Sequence, residues 1–138
     1  MKVYLAAASD EIELAEVWRD KLKAAGHTIT YDWMALVREK GGGNPRTASH
    51  EDRASWARND LVGAATSHVF WLLLPTGAPS AGSWFEFGFV YALIIRGGVI
   101  RPESIIVSGA DMNRSIFTAC ADLTFDTHEA AFEGAFAK

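Results

Sequence analysis

The stretch Val69-Phe70-Trp71-Leu72-Leu73-Leu74 is apolar at every position. A strand with one wet face alternates, whereas a run with no polar member fits a strand covered on both faces, the central strand of an α/β domain. Upstream, Glu51 to Ala65 carries Trp56, Leu61 and Ala64 or Ala65 at helical spacing and predicts a helix. Downstream, the turn formers Pro75-Thr76-Gly77-Ala78-Pro79-Ser80 lead into Gly82 to Ile95, a run of helix length ended by Gly97-Gly98. Lys2 to Ala8 is a second apolar strand run. Asp10 and Glu13 then have capping-box spacing, Ile12, Ala15, Trp18 and Leu22 recur at helical intervals, and Gly26 supplies a stop. Thr28 to Trp33 alternates, which completes a βαβ unit with a right-handed crossover.

Ile105-Ile106-Val107 and Leu123-Thr124-Phe125 supply a fourth and fifth strand, and Asp111 to Ala121 reads as a loop with one helical turn. Thr127 stands where it can cap a last helix reaching Ala137. Only Met34 to His50 breaks the rhythm. Gly41-Gly42-Gly43-Asn44-Pro45 punctuates it without apolar periodicity, so a long mobile loop is expected there, leaving the second strand where it can lie over a pocket. The alternation predicts an α/β, flavodoxin- or Rossmann-like three-layer sandwich around a five-stranded, mostly parallel sheet. All 138 residues fall in one domain.

Composition narrows the function classes. A net charge of −4 offers no basic surface for a nucleic-acid polymer. Cys120 is alone and His27, His50, His68 and His128 lack metal-helix spacing, so neither a disulfide framework nor a metal site nor another cofactor is expected. The apolar run Phe87 to Ile95 is too short to span a bilayer, and the start of the chain has no leader-like progression, which predicts a cytoplasmic protein.

Within Gly82 to Ile95, Glu86 is the only residue charged at neutral pH. Near a helix start the macrodipole favours its carboxylate while the apolar neighbours oppose it. A carboxylate in a dry wall beside a Gly/Ser loop suits a nucleophile for an electron-poor carbon; complementing the helix start is the plainer role. In open parallel sheets ligands bind at the carboxyl ends of the strands, where strand order reverses. That rule brings the Ala6-Ala7-Ala8-Ser9 turn beside Thr76 to Gly82, with Glu86 on the same crevice. Asp60, Ser80 and Tyr4 taken singly are most simply a solvated helix acid, a turn serine and a core aromatic.

Together, Tyr4 in strand one, Asn59-Asp60-Leu61 before the central strand, and Pro79-Ser80-x-Gly82-x-x-x-Glu86-x-Gly88 resemble the nucleoside 2-deoxyribosyltransferase superfamily. The similarity runs from Lys2 to about Glu129 and is most specific from Ser80 to Gly88. It implies that Glu86 attacks the anomeric carbon of a nucleoside, that Asp60 lies at the sugar and base, and that Tyr4 helps position the nucleophile. Ser80 stands six positions before Glu86, where the deoxyribosyltransferases proper carry Asp. In this the chain is closer to the superfamily's 5′-monophosphate N-glycosidases, since a hydroxyl and helix amides donate to a phosphate that an aspartate would repel. The resemblance implies substrate-side roles for Ala7, Ser9, Ser80, Gly82 and Gly88, and for Ser115 reaching a neighbouring subunit's phosphate, with Arg114 adding charge. The family's usual Gly-rich first turn is Ala6-Ala7-Ala8-Ser9 here.

The expected reaction is hydrolysis of a (deoxy)nucleoside 5′-monophosphate to base and sugar phosphate; base exchange by a deoxyribosyltransferase and a non-catalytic nucleotide-binding module are the alternatives. Trp33, Trp56, Trp71 and Trp84 are candidates to stack on the base. A homodimer or higher homo-oligomer is expected, because the Glu86 helix is apolar on more than the side one sheet can cover.

Overall fold

The computed structural model describes residues 1–39 and 45–137. Five strands, β1 (Lys2–Ala6), β2 (Thr28–Ile29), β3 (Val69–Leu73), β4 (Ser104–Ser108) and β5 (Leu123–Phe125), form one sheet in the order β2-β1-β3-β4-β5. Every pairing is parallel, and Val69–Leu73 lies at the centre as its composition requires. Tyr4 is in register with Phe70, and Phe70 with Ile105.

Among the described residues, five α-helices cover the sheet: α1 (Ile12–Ala24), α2 (Trp33–Glu39), α3 (His50–Ala65), α4 (Ala81–Arg96) and α5 (His128–Ala135). Because side chains alternate along a strand, β3 feeds both layers. Trp71 packs against Trp18 of α1 and stacks with Phe136 just past α5, at centroid distances of 5.6 and 4.8 Å. Phe70 faces the other way, toward Phe87 of α4 and the Tyr4 ring, at 6.3 and 5.7 Å. The architecture is the flavodoxin/Rossmann-like three-layer sandwich. Truncating a core aromatic such as Trp71 would cost about 3–5 kcal/mol.

The helix stops fall where the glycines stand, with Gly26 and Gly97 at φ 83 and 71, a backbone conformation that only glycine adopts cheaply. Ser49 caps α3 by accepting from Asp52 N–H, and Thr127 caps α5 by accepting from Ala130 N–H. No helix among the described residues is long and apolar enough to cross a membrane.

Local expectations needed correction. The Asp10–Glu13 capping box does not form: Ser9–Glu11 is a 3-10 turn and α1 begins at Ile12 without a side-chain cap. Glu11 instead accepts from the Thr76 backbone N–H at 2.9 Å and from the Thr76 hydroxyl, across the gap between two loops. The second strand ends at Ile29, not Trp33. Asp32 accepts from Ala35 N–H and thereby starts α2, so the segment expected to be loop from Met34 is helical through Glu39. The Gly41 to Asn44 part of that expectation lies outside the described residues. Between Asp111 and Ala121 there are two 3-10 turns, Met112–Arg114 and Ile116–Cys120.

Candidate active site

At the carboxyl ends of β1 and β3 the chain leaves in opposite directions, to α1 on one face and α4 on the other, and a crevice of about 590 Å³ opens between the two turns. Its floor is formed by Glu86 and Asp60, with Tyr4 buried behind them. Tyr4 comes from the middle of β1, fully buried, and its hydroxyl donates to Glu86 Oε1 of α4 at 3.1 Å. Asp60 of α3 also lines the crevice, and its buried Oδ1 has no hydrogen-bond partner among the described residues. Gly63 of α3 makes the grouping feasible. A Cβ there would stand 2.6 Å from the Tyr31 Cβ and 3.2 Å from the Tyr4 ring, so α3 approaches β1 closely only because that side chain is missing.

Burial dominates the electrostatics. Desolvation, with the negative charge of Asp60 added, raises Glu86 to about 8 against the opposing hydrogen bond from Tyr4. Asp60 is raised by burial to about 6, again opposed by the Tyr4 hydroxyl. Tyr4 is raised well above its ordinary range by burial and then by the two carboxyls, so it remains a donor. Glu86 lies in the second turn of α4, beyond the first turn where the helix dipole acts, and the dipole does not offset its burial as expected.

The walls differ in chemistry. On one side are Ala7, Ala8 and Ser9 from the first turn and Ser80, Ala81, Gly82 and Ser83 from the start of α4. Ser80 occupies the cap position of this sixteen-residue helix without a side-chain capping bond, which leaves its hydroxyl beside the helix's first amides. The opposite side is largely apolar, built from Trp33, Leu36 and Val37 of α2 with Trp56 of α3, and Pro45 and Arg46 complete it. Trp33 is fixed by its indole N–H, which donates to Leu5 O at 2.8 Å.

Tyr4, Asp60, Glu86, Ala7, Ser9, Ser80 and Gly82 thus meet in one place. Gly88 does not: it is exposed on the outer side of α4, and a Cβ there would meet nothing. Ser115 accepts from Phe117 N–H at the start of a 3-10 turn and is not part of this chain's crevice. Arg114 donates to Pro75 O at 2.8 Å and so anchors the loop after β3. Of the tryptophans, Trp33 and Trp56 line the crevice, whereas Trp71 is core and Trp84 packs on Phe87. Leu36, Val37 and Arg46 were missed in sequence. The available signal was Asp32 followed three residues later by Ala35 in a helix-forming run, a cap in front of a short helix.

An acceptor-rich floor, a wall of helix amides and hydroxyls, and an apolar wall with two indoles thus face one another across the crevice. No family model, curated protein or solved structure matches this chain.

Proposed function

We propose that this protein hydrolyses the N-glycosidic bond of a nucleoside or deoxynucleoside 5′-monophosphate. The observation that carries this reading is the Tyr4–Glu86 hydrogen bond beside Asp60 on the crevice floor. In the proposed reaction the Glu86 carboxylate attacks the anomeric carbon while the bond to the base breaks. The bonding pair leaves with the base, which takes a proton from Asp60. Water then gives a proton to the Asp60 carboxylate as its oxygen bonds the anomeric carbon and the ester bond breaks, releasing sugar 5-phosphate and restoring both carboxyls. Tyr4 holds the attacking carboxylate in place, and the positive charge developing on the sugar favours its ionised form.

Ser80, Ser9 and the first amides of α4 receive the phosphate, while Trp33 and Trp56 offer faces to the base. The reading needs no metal or other cofactor and takes a small nucleotide as its partner, with the chain acting in the cytoplasm as a homo-oligomer. A second reading, a nucleotide-binding module without turnover, is favoured by the elevated Glu86: near neutral pH its protonated form donates to a ligand rather than attacking it.

The test is chromatography of free base after incubating wild type and Glu86→Ala with ribo- and deoxyribonucleoside monophosphates and their nucleosides. Base released from a monophosphate by wild type alone is the expected result. A second free base is added in parallel, and formation of a new nucleoside in place of hydrolysis identifies a deoxyribosyltransferase. Thermal stabilisation by a monophosphate with no base released overturns catalysis in favour of the binding module.

A further inference from the structure

We infer that Glu11 is a positioning residue of the crevice. By accepting from both donors of Thr76 it fixes the spacing between the turn that carries Ser9 and the loop that leads to Ser80, and so holds together the wall that receives a 5′-phosphate. The role rests on the monophosphate reading of that wall.

The loop after β3 has little of its own to hold it. Pro75 to Ser80 includes Pro75 and Pro79, which have no N–H to give, and Gly77, whose backbone is the least restrained. Among the described residues, no backbone group from Pro75 to Pro79 bonds another backbone group, and Ser80 contributes only its carbonyl, to Trp84 N–H at 3.2 Å. Two side chains from outside supply the restraint. Arg114 donates to Pro75 O at 2.8 Å, and Glu11 Oε1 accepts from Thr76 N–H at 2.9 Å and from the Thr76 hydroxyl.

The two anchors join different things. Arg114 comes from the turn Met112–Arg114, which lines no part of the crevice. Glu11 ends the 3-10 turn Ser9–Glu11, and its own N–H donates to Ala8 O at 3.0 Å. Ala8 and Ser9 form one half of the phosphate-side wall and Ser80 to Ser83 the other. The bonds from Thr76 to Glu11 therefore tie the two halves directly, and the spacing of the Ser9 and Ser80 hydroxyls follows from that tie.

The residue type fits the task. A carboxylate oxygen has lone pairs for an N–H and an O–H together, which the two donors of one threonine require. A free carboxylate close to a phosphate would repel it, and among the described residues no Lys or Arg pairs with Glu11. Thr76 engages that charge outside the crevice, which Glu11 does not line. A wall already spaced for its ligand binds without first ordering the loop, so the tie acts on affinity more than on the chemical step.

Steady-state kinetics on the monophosphate identified by base release, with circular dichroism to confirm folding, test the tie. Glu11→Ala should raise KM about tenfold and leave kcat within about twofold, since other elements hold the floor. Thr76→Val keeps the N–H but loses the hydroxyl, and should raise KM about threefold. Glu11→Gln, whose amide oxygen accepts from both donors, should return KM to within about twofold of wild type. A tie that serves stability alone would lower the active fraction, and hence kcat, with KM unmoved; that pattern overturns the proposal. A Glu11→Gln protein as impaired as Glu11→Ala overturns it too.

Calorimetric titration with ribo- and deoxyribonucleoside monophosphates separates this failure from that of the glycosidase reading. If wild type binds a monophosphate and releases no base, the glycosidase fails, while a Kd about tenfold weaker in Glu11→Ala upholds the tie. Equal Kd values overturn the tie and leave the site standing. Wild type that binds no monophosphate overturns both.

Discussion

Two buried polar groupings stand at the carboxyl edge of the sheet, and they are built to opposite rules. On the α1/α5 side, Trp71 N–H donates to Ser108 Oγ at 2.8 Å and Ser108 lies 2.7 Å from His128 Nδ1. Ser108 Oγ accepts from the indole and shares a hydrogen bond with the imidazole, so each of these atoms is paired. On the α3/α4 side, Tyr4 has one proton for two carboxyls, and Asp60 Oδ1 is buried without a partner among the described residues. A saturated grouping fixes a core, whereas an unsaturated one beside a crevice leaves bonds for a ligand to complete.

The largest expected effect separates the two by turnover. Glu86→Gln should lower kcat by at least about 10³-fold with the fold retained, since the amide keeps the shape but cannot act as a nucleophile. Steady-state rates on the monophosphate identified by base release check this, and a wild-type rate would remove Glu86 from the proposed mechanism.

The next effect separates them by stability. Ser108→Ala strands the Trp71 N–H and should cost about 1–3 kcal/mol in urea unfolding while leaving kcat near wild type. Tyr4→Phe should do the reverse, costing under about 1 kcal/mol and about 10–100-fold in kcat. Equal stability losses in the two variants would mean that the Tyr4 group is as structural as the Ser108 group.

The pH dependence of catalysis sharpens the comparison further. If Asp60 gives a proton and Glu86 must lack one, the active form carries a single proton, so kcat/KM should rise near pH 6 and fall near pH 8. Asp60→Asn removes the charge that helps raise Glu86, leaving a single rising limb with its midpoint below 8. A bell that survives this substitution would exclude Asp60 as the donor.

The smallest effect is one of sign. Glu86 is raised in the native state from its ordinary 4.5 to about 8, so the folded protein binds the proton more tightly and loses stability as pH rises between those values. Glu86→Gln should therefore gain about 1–2 kcal/mol over wild type at pH 8.5 relative to pH 5. His128 is lowered from 6.5 by burial, which outweighs Glu129 and Glu11. Its contribution is complete above 6.5 and is lost as pH falls below it. Urea midpoints at several pH values for wild type, Glu86→Gln and His128→Gln measure both slopes, and slopes of the same sign would contradict the contrast.

The sheet was legible because the signal was local. Six successive apolar residues from Val69 to Leu74 can be covered on both sides only by two layers, and the turn residues after them placed the start of α4. α2 was hidden because it spans only Trp33–Glu39 and the glycines beyond it weigh more in any reading of composition. The capping box failed for a non-local reason, since Glu11 bonds Thr76 in a loop that sequence spacing does not bring near. The meeting of Tyr4, Asp60 and Glu86 depends on how closely α3 approaches β1, which the missing side chain at Gly63 decides. Gly88 stood beside Glu86 in the motif, yet a displacement of two residues along a helix carries a side chain to the far side.

The position of Val69–Leu73 at the centre of the sheet has a consequence for biosynthesis. The chain emerges with β1 and β2 first, but the strand on the other side of β1 is β3, which follows by more than 60 residues. Until Leu73 clears the ribosome, β1 has an unpaired edge and Trp18 lacks its partner Trp71. The early unit therefore keeps apolar surface and a strand edge open, and docking of the late strand is the closure that ends its exposure.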